Sequence, residues 1–416
     1  MSAGYLDSPW PAEDAGPQRL QQPRSGAGLG LRTGETLRAT TRRTTMSTMT
    51  VLGAPGEVYL LTHSALRAQI GLPTTACVER IDPTTLKPQQ RSPRLRGGPM
   101  WPGGMAIHRN GDLYVVYGRH AHRLTRDCRP LASLQLPMDQ PYNSFVVLDN
   151  GLIVTKNLSA GTPARLTVID PGSLTPACAD VEAPEPSIAR LSARGDTVYV
   201  VGVRSIFRYH WRDAARTLTF DPDWRFDYIG DSGQSHGWDV VLADQHAWFM
   251  DNGAHRYRHR MLGAGVSRTA NRLIRVSLTA AADHQALDVS GLPGGSITNP
   301  PLVDAQRGIV VGYDSANAVL RAWRFDAGLR TLTPLWRKAP FGCASHMVLY
   351  PDTGEVVVND YCRHGEEVVV LDIATGTERG RVRTGGLMQG VVFPSPGWGR
   401  DLYWSSMGRL ARVSVA

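Results

Sequence analysis

Short hydrophobic runs with strand character recur along the whole chain, and this repetition constrains the fold more than any other feature. Each run is rich in β-branched and aromatic residues, and most follow a turn signal such as Gly-Asp or Gly-Glu. Eight runs are found, at residues 56–63, 111–118, 151–157, 195–202, 245–252, 308–314, 354–360 and 400–406. Their spacing is mostly about 40–50 residues, which is the length of one four-stranded sheet with its turns in radial repeat proteins.

The segments around each run complete a four-stranded unit. One strand-like segment precedes the run, as at 144–149 and 347–352, and two more usually follow it. The turn between these last two recurs in similar letters, as IDPTTLKP at 81–88 and IDPGSLTP at 169–176. No window of about 12 residues has clear helical periodicity, so almost no helix is predicted. An all-β sandwich is the alternative, but eight units of this length favour a radial arrangement.

The last unit contains only three strand-like segments before Ala416. A strand near residues 36–43 is expected to supply the fourth, so that hydrogen bonds between the two ends of the chain close a ring. The prediction is an all-β, eight-bladed β-propeller of four-stranded antiparallel blades, with residues 36–416 as its single domain. Residues 1–35, which are rich in Gly, Pro and Arg, are expected to form a low-order N-terminal tail.

Two segments carry a blade-turn pattern, VVVLDIATGTE at 368–378 and RAWRFDAGLRTLTPLW at 321–336. Through them the chain resembles the quinoprotein-like (PQQ-repeat-type) eight-bladed β-propellers. The resemblance implies the same architecture over most of residues 48–416. It carries over no catalytic residue and no quinone, because no segment matches the quinone- and calcium-binding pattern of that family.

The first residues of the innermost strands are predicted to surround one mouth of the central channel. Counting back from the turn that ends each of these strands gives Thr48, Gly103, Asn143, Ser187, His236, Asn299, His346 and Gln389. These residues are almost all small or polar, whereas those that follow them are apolar. His236 and His346 are therefore the candidate catalytic residues, and Asn143, Ser187, Asn299 and Gln389 are candidate ligand-binding residues. A polar channel that binds only water is the alternative.

Three carboxylates end the second strand in the blades that contain His236, Asn299 and His346. They are Asp251, Asp314 and Asp360. Imidazole and carboxylate groups together suit a divalent metal ion, so these aspartates and the two histidines form a candidate metal site. Aspartate is also a common turn former, which is the alternative explanation for all three.

The longest connection between the second and third strands of a unit, residues 252–273, follows one of these aspartates. Loops of about 20 residues in compact domains are usually functional or disordered. This loop is expected to project from the same face and to cover the mouth as a lid. Its His255 and Arg256 are candidate ligand-binding residues that would favour an anionic small molecule. A solvated surface loop is the alternative.

Charge and cysteine content limit the remaining partners. The formal net charge of +8 is spread along the chain without a run of five or six like charges, so a nucleic-acid partner is not expected. No stretch is apolar enough to predict a membrane-spanning helix. Five widely spaced cysteines without a C-x-x-C motif, and no apolar signal segment, predict free thiols and a cytoplasmic location.

Two classes of function follow from this pattern. The first is an enzyme that acts on a small molecule in the channel mouth, by metal-assisted or histidine acid–base chemistry of the lyase, hydrolase or oxidoreductase type. The second is a non-catalytic propeller that binds a protein or peptide on one face. An open, concave mouth with converging polar groups favours the enzyme. An apolar patch on the rim favours the binding protein.

Overall fold

A computed structural model of the chain describes residues 3–23, 28–64, 67, 70, 72–230, 233–326 and 331–416. Within these ranges the chain forms 33 strands and one short 3-10 helix, Glu13–Ala15. Among the same residues, no helix has the length and apolar composition needed to cross a membrane. The prediction of an all-β fold is therefore confirmed.

The strands pair with their neighbours in chain order, so each sheet is an antiparallel meander. The first strands are β1 (Leu37–Leu52), β2 (Val58–His63), β3 (Thr75–Ile81), β4 (Pro88–Arg91) and β5 (Leu95–Arg96). A separate sheet follows, with β6 (Gly104–Ile107), β7 (Leu113–Tyr117), β8 (His120–Leu124) and β9 (Pro130–Gln135). The next sheet has β10 (Tyr142–Val147), β11 (Ile153–Asn157), β12 (Arg165–Asp170), β13 (Thr175–Pro176) and β14 (Val181–Glu182).

Four further sheets of four strands each continue the pattern. They are β15 (Ser192–Arg194), β16 (Thr197–Val201), β17 (Ser205–Arg212) and β18 (Thr217–Asp227); then β19 (Val241–Ala243), β20 (His246–Met250), β21 (Arg272–Ser277) and β22 (His284–Asp288). The other two are β23 (Leu302–Asp304), β24 (Ile309–Asp314), β25 (Val319–Phe325) and β26 (Leu332–Lys338); then β27 (Val348–Tyr350), β28 (Glu355–Cys362), β29 (Gly365–Asp372) and β30 (Glu378–Arg383). The chain ends with β31 (Ser395–Pro396), β32 (Asp401–Ser405) and β33 (Met407–Val415).

Strand β1 connects the beginning and the end of the chain. Its first half, Leu37–Arg43, pairs with β33, and its second half, Met46–Leu52, pairs with β2. The resulting sheet has eight strands, because β31, β32 and β33 lie on one side of β1 and β2 to β5 on the other. The first half of β1 is the closing strand that the sequence predicts near residues 36–43. The count of eight blades treats this sheet as two units and stays a prediction.

The innermost strands of successive sheets form a ring around a central channel. Strands β1, β6, β10, β15, β19, β23 and β27 each contact the next, and β31 contacts β1. Apart from the first half of β1, their side chains are almost completely buried, and hydrophobic clusters fill the space between neighbouring sheets. Removing this apolar area from water contributes most to holding the sheets together, at roughly 25 cal/mol per Å².

The N-terminal segment, residues 3–23, differs from the low-order tail expected over residues 1–35. Its carbonyl groups accept hydrogen bonds from the inner strands of five sheets, at Leu52, Ile107, Ala193, Leu242 and Leu349. Trp10 and Gln21 have no exposed surface. A composition rich in Gly and Pro indicates that a segment cannot build its own core, but this one is buried against a core built by the rest of the chain.

Candidate functional site

The two mouths of the channel are closed by different segments. Leu52 and Ile107, whose amides bind the N-terminal segment, are the last residues of β1 and β6, so this segment covers the mouth at the strand ends. The other three amides belong to the middle residues of the three-residue strands β15, β19 and β27. The opposite mouth, at the strand starts, is called the lid face here. The loop 252–271, between β20 and β21, crosses this face and hydrogen-bonds to Gln389 just before β31.

Three hydrogen bonds fix the loop at Gln389. The amide of Met261 donates to Oε1 of Gln389 at 2.6 Å, and the hydroxyl of Tyr257 donates to its carbonyl at 3.0 Å. The amide of Gln389 donates in turn to the carbonyl of His259 at 2.9 Å. Gln389, a predicted ligand-binding residue, therefore anchors the lid. Arg256 from the same loop is exposed.

His236 and the lid residue His255 both lie beside Trp238. Nδ1 of His236 is 3.3 Å from the carbonyl of Gly237, and Nδ1 of His255 is 2.7 Å from that of Gly253. Both imidazoles are 6.2 Å from the ring of Trp238. Burial lowers the pKa of both histidines, so both rings are neutral near pH 7.

His346 contacts the N-terminal segment rather than His236. Its Nδ1 lies 2.9 Å from Oδ1 of Asp14, and its ring stacks on Phe393 at 4.0 Å. Burial acts to raise the pKa of Asp14, but His346 and then Arg19 lower it below its usual value. The described residues show no contact between the two histidines that were predicted as one catalytic centre.

The candidate metal ligands are not brought together. Asp251 accepts hydrogen bonds from the amide and Nε of Arg272, at 2.6 and 2.7 Å, and burial raises its pKa to about 6. Asp314 accepts from the amide of Ser296, and Asp360 from that of Gly342. Each aspartate thus stabilises loops within its own sheet. In the part of the chain that is described, no three His, Cys, Asp or Glu side chains are placed to hold a metal ion.

The remaining predicted ring residues bind backbone groups. Asn143 donates to the carbonyl of Ile188 at 3.5 Å, and the hydroxyl of Ser187 donates to that of Val201 at 2.7 Å. Asn299 donates to the carbonyl of Ala344 at 2.6 Å. Because buried backbone carbonyls need partners, Asn143 and Asn299 hold neighbouring sheets together, whereas Ser187 stabilises its own sheet.

A buried ionic network was not predicted from the sequence. Arg19 of the N-terminal segment lies 3.0 Å from the carboxylate of Glu13 and 3.1 Å from that of Asp14. Arg190, from the start of the neighbouring β15 region, lies 3.5 Å from Glu13 and 3.7 Å from Asp239. No local motif indicates this network, because its members come from three distant segments.

A large cleft lies at the rim of the lid face, where β1 changes its partner strand from β33 to β2. Its volume is roughly 710 Å³, and its lining includes Arg42, Arg43, Arg67, Arg91 and Arg94 with a single carboxylate, Glu79. This site is called the arginine cleft below. Glu79 forms ion pairs with Arg42 and Arg91. The sequence does not reveal the cleft, because the five arginines come from separate segments with only two of them adjacent.

His63 and Cys77 also line the arginine cleft. Nε2 of His63 accepts a hydrogen bond from the amide of Gly103 at 3.0 Å, and burial lowers the pKa of His63 to about 3. Burial likewise raises the pKa of the Cys77 thiol. Both groups are therefore neutral near pH 7, and the positive charge of the cleft comes from arginine alone.

Comparison with known proteins finds similarity of fold. No protein-family model and no curated protein matches the sequence. Among solved structures, the Pan2 WD40 domain of Neurospora crassa matches 92% of this chain and 96% of its own, with a TM-score of 0.52 and 9% identity. Apo AztD from Citrobacter koseri matches 86% of this chain and 97% of its own, with a TM-score of 0.51 and 11% identity. Together with the ring of inner strands, these similarities identify the fold of this chain as a β-propeller.

Proposed function

We propose that this protein is a binding propeller that holds an anionic ligand in the arginine cleft. The observation that carries the proposal is the concentration of five arginines against one glutamate in a single concave site. Guanidinium groups bind carboxylate and phosphate oxygens through paired hydrogen bonds, and each such bond is about twice as strong as one between neutral groups.

Two arginines of the cleft are available for a ligand. Arg42 and Arg91 share Glu79, and Arg67 donates its Nε to the carbonyl of Pro73 at 2.7 Å. Arg43 and Arg94 are exposed, and no described carboxylate lies within ion-pair distance of either. These two side chains are the ones we expect an anion to contact first.

The closed channel supports a binding protein over an enzyme that acts in the channel mouth. The N-terminal segment and the lid cover the two mouths, and the predicted ring residues Asn143, Ser187, Asn299 and Gln389 form hydrogen bonds with backbone groups. An enzyme site needs an open pocket with converging free polar groups.

The test measures binding of inorganic pyrophosphate by isothermal titration. The double variant R43A/R94A should bind at least about tenfold more weakly, because it removes two charge-assisted contacts. The matched control is R129A/R194A, which removes the same charge from two exposed arginines near turns on the opposite face. Equal affinity of both double variants, or no binding by the unmodified protein, contradicts the proposal.

One observation favours the small-molecule enzyme as a second candidate. Lys156, at the lid-face end of β11, is 1% exposed, and within the described residues its amine donates only to the carbonyl of Ser187, at 3.2 Å. Burial lowers its pKa to about 7, so much of the amine is neutral at that pH and can act as a base or nucleophile. Two measurements test this candidate. Elemental analysis looks for a stoichiometric divalent metal, and turnover assays compare the unmodified protein with Lys156→Met. A metal-free protein without turnover rejects the enzyme.

A further inference from the structure

The lid carries a second group of unpaired arginines. Arg256, Arg258, Arg260 and Arg268 are exposed, and the sequence has no Asp or Glu between Asp251 and Asp283. In the described part of the chain, none of these four arginines lies within ion-pair distance of a carboxylate. The lid therefore presents positive charge to solvent across the channel mouth.

The lid and the arginine cleft are adjacent parts of one face. Tyr257 of the lid packs against the same hydrophobic cluster as Met46. Met46 directly follows Thr44 and Thr45, which line the arginine cleft. The cleft is also lined by the end of β2 and the start of β3, and these strand termini lie on the lid face. The arginines of the cleft and those of the lid are therefore both on the lid face.

Exposed aliphatic side chains border this surface. Ile70 is 71% exposed and Leu72 is 46% exposed, both in the loop that leaves the cleft at His63. Leu387, two residues before the lid anchor Gln389, is 86% exposed, and Val266 in the lid is 44% exposed. Leu292, in the connection from β22 to the start of β23, is 44% exposed, so five of the six exposed large hydrophobic residues in the described ranges lie on the lid face. Such residues mark interaction sites when they group together.

The six exposed large hydrophobic residues are all aliphatic. Single-stranded nucleic acids bind proteins largely by stacking their bases on exposed aromatic rings. Aliphatic groups instead offer contacts to leucine-like or valine-like side chains. This difference favours a polypeptide over a nucleic acid as the partner of the positive face.

We propose that the arginine cleft and the lid form one docking surface for an acidic polypeptide segment. The segment would be extended, with several Asp or Glu side chains toward the arginines and one or two large aliphatic residues against Leu387 and Ile70. The inference rests on the proposed function, since it assumes that the cleft binds anions, and it specifies the ligand as a polypeptide that also reaches the lid.

The experiment compares the binding of four probes. Fluorescence anisotropy measures the binding of the labelled peptides and DNA, and competition measures that of unlabelled pyrophosphate. The first is a peptide of about 12 residues with Glu and two Leu, which spans roughly 40 Å when extended. The others are its Gln-for-Glu counterpart, a single-stranded DNA of similar length and inorganic pyrophosphate. The acidic peptide should bind most tightly, its affinity should fall with ionic strength, and the Gln peptide should not bind.

Two double variants measure the contributions of the cleft and of the lid to peptide binding separately. R43A/R94A and R258A/R260A should each weaken peptide binding by about tenfold or more, and L387S should weaken it by several-fold. The opposite-face control R129A/R194A should leave it unchanged. Only exposed side chains are altered, so equal melting temperatures verify that every variant is folded.

The outcomes distinguish this inference from the proposed function. In one outcome, pyrophosphate binding depends on Arg43 and Arg94, but R258A/R260A does not change peptide binding. This outcome supports the anion site and contradicts the docking surface. Tighter binding of the DNA than of the acidic peptide overturns the inference in favour of a nucleic acid. Absence of binding for all probes rejects both proposals.

Discussion

Replacing Arg19 by methionine tests whether the N-terminal segment is an integral part of the folded protein. Arg19 is 2% exposed and uses all three guanidinium nitrogens. It binds the carboxylates of Glu13 and Asp14 at 3.0 and 3.1 Å, the hydroxyl of Ser144 at 3.0 Å and the carbonyl of Leu191 at 2.9 Å. Methionine fills a similar volume but leaves these acceptors without their donor.

The structure sets the expected size of the effect. Removing one partner of a buried ion pair costs about 3–5 kcal/mol of unfolding free energy, because the remaining charge stays buried. Arg190 still lies 3.5 Å from Glu13, and His346 lies 2.9 Å from Asp14, so some compensation remains. We therefore expect R19M to lose about 3 kcal/mol at pH 8.

The loss should depend on pH with a definite sign. Burial raises the pKa of Glu13 above its usual value, although Arg19 acts against this, so removing Arg19 raises that pKa further. A carboxyl group whose pKa is higher in the folded than in the unfolded state binds more protons when folded. Such a group therefore makes the folded protein less stable as the pH rises above the pKa that the group has in the unfolded state. The destabilisation of R19M should be smaller at pH 5 than at pH 8.

Guanidinium-induced unfolding followed by tryptophan fluorescence measures both effects. The control R43M alters an exposed arginine and should change stability by less than about 0.5 kcal/mol. The double variant E13Q/R19M should recover part of the loss, because it removes the unpaired carboxylate. A loss below about 1 kcal/mol for R19M at pH 8, or the same loss at both pH values, would refute the reasoning.

Four further predictions concern single residues or residue pairs. Trp10→Ala should cost about 3–5 kcal/mol, since Trp10 is fully buried, and a cost near zero in the same unfolding assay would show that the segment is not docked. The pKa of Lys156 is about 7 in the folded protein and 10.5 in the unfolded chain, so the unfolded state binds more protons between these two values. From pH 6 to pH 9, the unfolding free energy of the unmodified protein should therefore rise by about 2–3 kcal/mol relative to that of Lys156→Met. Equal pH profiles of the two proteins would contradict this. His346→Ala should lose about 1–3 kcal/mol of unfolding free energy, because Asp14 loses one of its two partners and keeps only Arg19. A fully stable variant with a reduced metal content by elemental analysis would instead identify the imidazole as a metal ligand. Cys343 and Cys362 should remain unlinked in non-reducing mass mapping of freshly prepared protein, and a linked pair would also contradict the expected cytoplasmic location.

The repeating sheets could be predicted from the sequence because their signals are local. Each strand pairs with the next across a short turn, so runs such as GDTVYVVG at 195–202 carry their own boundaries, and the structure has β16 at Thr197–Val201. The closing strand was predictable for a related reason, since a three-stranded last unit leaves an unpaired edge.

The site was less predictable because its contacts join distant segments. Asn143 and Ser187 have the polarity of ligand-binding groups, but whether such a group faces a ligand or a buried carbonyl depends on the neighbouring sheet. The same holds for His346, whose partner Asp14 lies in a segment that looked disordered by composition. The arginine cleft likewise forms only when the first half of β1 pairs with β33 and the second half pairs with β2.

The pairing of β1 with β33 also determines when the protein can complete its folding during synthesis. The register joins residue 37 to residue 415, so one edge of β1 stays open until the residues of β33 have left the ribosome. Contacts of such large sequence separation form slowly, and an open strand edge can pair with other chains in the meantime. The exposed half of this strand contains Arg38, Arg42 and Arg43, and clustered like charges discourage edge-to-edge pairing between nascent chains.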